Sequence, residues 1–225
     1  MDYESNKYLL FSRLPLLQGI SSTELLAWED ALRLEPDELP PSGLPLIRQG
    51  EPCSSLICLI EGELEKEHHS PDGIYATRCL LKAPAVLEVD RLFGLTPTYE
   101  HSYRAVTDVK MLSIKKSALS SHLMKSEVFR LNLLNMLSAL AQKRAAALRP
   151  LQPESPEERL RLFLRNLFPD CEGKAEVIIQ MKDLARFIGH SRLITSQVLN
   201  RLADEGFIRL GRGHFTVFDI EKVKR

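Results

Sequence analysis

The stretch SRLITSQVLNR, Ser191 to Arg201, carries residue types whose spacing suits a chemistry. Wound as a helix, it sets Arg192, Leu193, Ser196, Gln197, Asn200 and Arg201 on one side and Val198, Leu199 and Leu202 on the other. The outward side is polar, basic and rich in hydrogen-bonding groups. A helix docked in the major groove of duplex DNA needs such a face.

The flanking residues predict how that helix is held. Leu184, Ala185, Phe187 and Ile188 recur at helical spacing, and Gly189 can close their helix in the left-handed region. Ser191 can cap the next helix by accepting from its free amides. Small Ala185, four residues before the glycine, lets two steeply crossed helices approach. Phe207–Arg209 and His214–Phe218 then alternate as paired strands around Gly211-Arg212-Gly213. A hairpin behind such a helix is a wing, and Arg212 at its tip would reach a phosphate. From Lys182 onward, nine Lys/Arg against five Asp/Glu leave +4 on a chain of zero net charge.

Other chemistries find less support. No nucleophile–base pair, phosphate-cradling loop or metal-ligand spacing stands out, so an enzyme is not expected, nor a cofactor or metal. Glu61, Glu63, Glu65 and Glu67 alternate as a charged edge strand that discourages strand addition. His68 and His69, before the Pro71-Asp72-Gly73 turn, are expected in solvent. Cys53, Cys58, Cys79 and Cys171 lack a C-x-x-C pair and predict ordinary buried thiols in a reducing cytoplasm. No apolar run approaches the roughly 20 residues of a membrane span, and no secretion signal opens the chain.

The order of elements completes the expectation. A helix capped at Ser21 or Ser22 buries Leu25, Leu26, Trp28, Ala31 and Leu32 and stops at Pro36. Short strands follow to about Ile114, at 44–51, 56–61, 63–68, 74–81, 86–89, 102–106 and 109–114, as in a sandwich or jelly roll. Ser117–Leu148 lacks proline and glycine, and its Leu133, Leu137, Leu140, Arg144 and Ala147 make a coiled-coil seam widened by Leu134 and Ala141. Pro150, Pro153 and Pro156 bracket a linker, and Ser155-Pro156-Glu157-Glu158 starts the next helix. The fold class is α+β: a β jelly-roll sensor (1–116), a dimerisation helix (117–149), a hinge (150–156) and a winged helix-turn-helix (157–225).

This arrangement resembles the Crp/Fnr family of bacterial transcription regulators over nearly the whole chain. FSRLPLLQGISSTEL, LIRQGEPCSSLICLIEGELE, RAVTDVKMLSIKKSAL and HSRLITSQVLNRLADEGFI carry the likeness. The resemblance implies a homodimer on double-stranded DNA, a cyclic-nucleotide-binding-like barrel, and contact with RNA polymerase through loops such as Pro71–Tyr75. It assigns Ser191 to backbone phosphate, Arg192 to a guanine, and Ser196 and Gln197 to the DNA face. Leu193 departs from the family's glutamate, so the operator should differ.

The sensor departs further. Cyclic-AMP binders hold phosphate with Gly-Glu and Arg-Ser pairs. Here Glu88 lacks the preceding glycine, and the Arg-Ser positions fall near Tyr99 and Glu100. Arg91 or Arg104 would have to substitute, with Arg144 near the nucleotide base. The expectation is a regulator whose small-molecule effector is unknown, not cyclic AMP, or absent. The alternatives are a cyclic-nucleotide activator with a non-standard phosphate site and, more distantly, a small-molecule enzyme on a jelly roll.

Overall fold

The computed structural model describes residues 11–35, 43–147, 155–169 and 171–224. The chain divides into two compact units: Met1–Leu64 with Lys82–Ala141, and Glu65–Leu81 with Gln142–Arg225.

In the first unit, Ser21 caps α1 (Ser22–Ala27), its hydroxyl accepting from Glu24 N at 3.2 Å. The helix ends earlier than its apolar pattern predicts. Trp28 leaves helical geometry, and a 3-10 turn at Glu29–Ala31 leads into β1 (Arg33–Glu35). That exit lets the indole enter the core, edge-on to Phe129 with ring centroids 6.4 Å apart. Its strands are β2 (Ser55–Glu61), β5 (Ala85–Leu87), β6 (Ser102–Ala105) and β7 (Lys110–Lys115), while most of the intervening hairpin, β3 (Glu63–His69) and β4 (Tyr75–Lys82), falls in the second unit. One antiparallel sheet runs β1-β7-β2-β5. Leu56 to Ile60 are all buried, which accounts for their unbroken apolar run. The strand expected at 44–51 is an irregular stretch with a lone bridge, Ile47 to Tyr103. Gly62 turns β2 into β3 with φ +90, and a Cβ there would sit 2.3 Å from Asp108 O.

The helix expected over Ser117–Leu148 is broken. α2 (Lys116–Ser121) and a 3-10 turn (Leu123–Lys125) precede α3 (Glu127–Ala147). The break puts Leu119, Leu123 and Phe129 in the core together. Asn132 pins α3 by donating to Leu16 O at 3.2 Å and Gln18 O at 2.8 Å. Leu133 is buried, Leu137 and Leu140 are half-buried, and Arg144 is exposed. The exposed stripe is Leu131, Leu134, Ser138, Ala141 and Ala145, again at three- and four-residue steps. The side chain of Ala147 and most of the expected hinge, Pro150 and Pro153 included, lie outside the described residues.

The second unit contains the helical end of the chain. Ser155 and Glu158 form a complete capping box on α4 (Pro156–Leu167). After β8 (Ala175–Ile179) come α5 (Met181–Ile188), α6 (Arg192–Asp204), the wing strands β9 (Ile208–Gly211) and β10 (His214–Val217), and α7 (Ile220–Lys224). Leu160, Leu164, Phe168, Val177, Leu184, Ile188, Val198, Leu199, Leu202, Phe215 and Val217 make one core. Phe187 is an exception to the expected core face. It is half exposed, and its ring meets Tyr75 and Phe163 at 5.8 and 5.2 Å.

Two expectations about the hairpin are corrected. β3 is not a free charged edge: Val106 N donates to Glu63 O at 3.0 Å at its base, and β4 is its other neighbour. Glu67 is buried and accepts from Arg78 Nε at 2.9 Å, because a carboxylate on this face needs a cation beside it. The cysteines also differ from four separate thiols. Cys79 and Cys171 form a disulfide, with Cα atoms 6.2 Å apart. The two lie 92 residues apart in sequence, so no local spacing announces the pairing. Cys53 and Cys58 are the buried free thiols the sequence predicts.

Candidate nucleic-acid interface and sensor site

The outward face of α6 is built by what its other side buries. Thr195, Val198, Leu199 and Leu202 face the core, and Thr195 Oγ1 donates to Ser191 O at 2.9 Å. Gly189 closes α5 at φ +67, where a Cβ would meet the Arg159 guanidinium at 2.9 Å. Ser191 caps α6, its hydroxyl accepting from Ile194 N at 3.3 Å. Arg192, Leu193, Gln197 and Asn200 are exposed, Leu193 at 69%, while Ser196 is half-buried. An apolar side chain this open on a polar face is where a thymine methyl can be covered.

Two other basic residues complete the picture. Arg201 is exposed at the far end of the face, and its guanidinium meets Glu157, which also pairs with Arg161 at 2.8 Å. It therefore carries its own counter-charge. Arg212 stands exposed in the wing turn before Gly213 at φ +77, and β9 and β10 pair antiparallel from Ile208 opposite Val217 to Gly211 opposite His214. The structure thus gathers Ser191, Arg192, Leu193, Ser196 and Gln197 on α6 and sets Arg212 on the wing.

In the sensor unit the charged residues are turned on one another. Glu88 holds a left-handed backbone, φ 40 and ψ 46, before the short turn Val89–Arg91. Its carboxylate accepts from Glu100 N (2.6 Å), His101 N (3.0 Å), His101 Nδ1 (2.8 Å) and the Tyr103 hydroxyl (3.0 Å). Burial pushes the Glu88 carboxyl up, but the hydrogen bonds from His101, Glu100 N and Tyr103 outweigh it and hold it below its ordinary range. Burial and the neighbouring carboxylate raise the Tyr103 phenol.

The Arg91 guanidinium pairs with Glu100 and donates to Thr96 Oγ1 at 3.2 Å. Tyr99 is buried, donates to Ser55 O at 3.2 Å, and has its phenol pushed up by burial. Arg104 donates instead to Gly43 O at 3.3 Å, and Arg144 is exposed on α3 within the other compact unit. The structure therefore brings Glu88, Arg91 and Tyr99 into one neighbourhood, linked by Glu100 and His101, and leaves Arg104 to a different partner. His101 and Tyr103 were missed from sequence. The alternation of His101, just before β6, with Tyr103 on it was the available signal, but no local rule aims them at a carboxylate 13 and 15 residues back.

With this geometry in view, residues 41–126 match the family model for a cyclic nucleotide-binding domain, and residues 158–225 that for a Crp-like helix-turn-helix domain. A CRP-like cAMP-activated global transcriptional regulator of Mycobacterium tuberculosis is 23% identical, the match covering 96% of this chain and 97% of that protein. Among solved structures, the catabolite activator protein of Thermus thermophilus aligns with a TM-score of 0.53 at 23% identity, covering 93% of this chain and 98% of its own. The sensor domain of the transcriptional regulator DNR from Pseudomonas aeruginosa aligns with a TM-score of 0.53 at 20% identity, over 69% of this chain and 99% of that domain. These structural likenesses establish the fold, a β-rich nucleotide-binding-type unit followed by a helix-turn-helix. No helix among the described residues is long and apolar enough to cross a membrane.

Proposed function

This chain belongs to the Crp/Fnr family of transcription regulators, DNA-binding proteins rather than enzymes, and from that premise we propose that it acts as a cytoplasmic homodimer reading a pseudo-palindromic operator. Two copies of α6 enter successive major grooves roughly 34 Å apart. Arg192 reads a guanine, Leu193 covers a thymine methyl, Gln197 pairs with a base edge or phosphate, and Ser191 and Arg212 fix the backbone register. The observation that carries this reading is the exposure of Arg192, Leu193 and Gln197 on a helix whose other face is wholly buried. The exposed α3 stripe of Leu131, Leu134, Ala141 and Ala145 supports pairing with a twin helix. The turn Pro71–Gly73 is exposed and is offered as the RNA polymerase contact, by family analogy alone.

The effector reading is that cyclic AMP is not the signal. A phosphodiester needs a free cation, and Arg91 is already paired with Glu100, which would repel the incoming anion. An effector of another kind, or none, fits these residues. The second reading, a cyclic-nucleotide activator, is favoured by Arg91 itself, the arginine that stands in this turn. Calorimetry of the native protein against a cyclic-nucleotide panel separates the two. Genome-wide footprinting with an Arg192→Ala control tests the DNA reading, and unchanged occupancy in that variant would remove it.

A further inference from the structure

The four cysteines fall into two chemical classes. Cys58 is fully enclosed in the sensor sheet, with its thiol pushed up to about 12 by burial, and burial likewise raises Cys53. Neither forms a thiolate readily, so both are poor nucleophiles. Cys79 and Cys171 are instead joined to each other. Their Cα separation of 6.2 Å lies inside the range a disulfide spans.

What the bond connects gives it consequence. Cys79 lies on β4, opposite Ala175 of β8, in a run of antiparallel partners from Tyr75 with Ile179 to Cys79 with Ala175. Arg78 reinforces the contact by facing Glu176 at 3.5 Å, and the Tyr75 ring packs edge-on to Phe163 at 6.5 Å and Phe187 at 5.8 Å. The hairpin is continuous in sequence with the sensor unit at both ends, Leu64 before it and Lys82 after it. Cys171 sits just before β8, in the same compact unit as Cys79 and α6. Closing this one bond therefore joins β4 covalently to the segment that leads into β8, within the one compact unit that also carries α6, where the strand pairing alone is reversible.

We propose that Cys79 and Cys171 form an oxidisable dithiol site whose substrate is hydrogen peroxide, and that its oxidation locks β4 onto β8. One thiolate attacks the peroxide: an S–O bond forms, the O–O bond breaks, and the leaving hydroxide takes a proton to become water. The second thiolate attacks the resulting sulfenic sulfur: the S–S bond forms, the S–O bond breaks, and the hydroxyl departs as a second water. Two thiols lose two electrons and two protons, and one peroxide is reduced to two waters. A thiol-disulfide reductant reverses the change. With the bond open, β4 can leave β8, which exposes both sulfurs to the next oxidant.

The test uses the full chain treated with hydrogen peroxide or with dithiothreitol, then denatured and alkylated. Oxidised protein is expected to take two labels, on Cys53 and Cys58, and reduced protein four. Digestion of the oxidised sample should give one cross-link, Cys79 to Cys171 within a single chain. Hydrogen exchange in Tyr75–Leu81 and Ala175–Ile179 should slow roughly tenfold or more on oxidation, since local opening sets that rate. Cys171→Ala should show no redox dependence, and the dithiothreitol arm makes the comparison without any substitution. Four labels after peroxide, a cross-link between two chains, or equal exchange in the two states would each overturn the proposal.

Discussion

At the start of α6, Ser191 turns its hydroxyl onto its own helix and leaves Arg192, Leu193 and Gln197 in solvent. At the Val89–Arg91 turn, Glu88 accepts four hydrogen bonds from its own chain, and Arg91 is paired with Glu100. Both regions hold the residue types a ligand site needs, yet only the first presents them outward. The difference teaches that composition alone does not make a site. A group already satisfied within the fold must be released before it binds anything, and that release opposes binding.

Several substitutions break or sharpen this contrast. The largest effect is expected for Arg192→Ala, a loss of about 1–3 kcal/mol per half-site in specific binding, measured by titration of operator DNA at fixed salt. Next is Glu88→Gln, which removes the charge to which the Glu100 and His101 amides, the His101 ring and the Tyr103 hydroxyl donate. Equilibrium urea melts of the sensor transition should fall by about 2–3 kcal/mol. The same carboxylate predicts a pH dependence. Its folded pKa lies below the ordinary 4.5, so its contribution is present above that value and is lost as pH falls through the folded pKa. Acid melts of the native protein should show this slope, and Glu88→Gln should flatten it.

Leu193→Glu is expected to act on specificity more than on affinity. A carboxylate there accepts from a cytosine amino group, so selection from randomised half-sites should shift by about 1–2 kcal/mol toward C. The smallest stability effect belongs to Glu100→Gln, under about 1 kcal/mol, because that ion pair is partly exposed. Its value lies in ligand binding. If Arg91 is a latent phosphate anchor, freeing it should let calorimetry detect a cyclic nucleotide where the native protein shows none. Silence in both would leave the turn as architecture alone.

The helix-turn-helix was legible because its signals are local. Gly189, Ser191 and the buried Val198, Leu199 and Leu202 lie within one short stretch and obey capping and periodicity. Most sensor strands were legible as strands, β1 and the irregular stretch 44–51 excepted, while the partners of Glu88, 12 to 15 residues away, were not. Their meeting depends on how β6 is placed beside a left-handed turn, which no pattern of residue types encodes. α1 and the break before α3 show a second limit. Apolar spacing predicts continuation at Trp28 and at His122, but core packing is better served by letting each chain turn aside. The disulfide marks the far extreme of the same problem, a pairing of residues 92 positions apart in sequence.

β8 has a consequence of its own. With β10 along one side and β4 along the other, this strand has no backbone left to offer a stranger. The sheet's open margin beside the wing is β9, whose Arg209, Leu210 and Gly211 are exposed. Any unwanted stacking of one molecule on the next through that end must therefore begin at a rim where Arg209 meets its own like charge. Arg209 thus opposes edge-to-edge pairing of neighbouring copies through the wing.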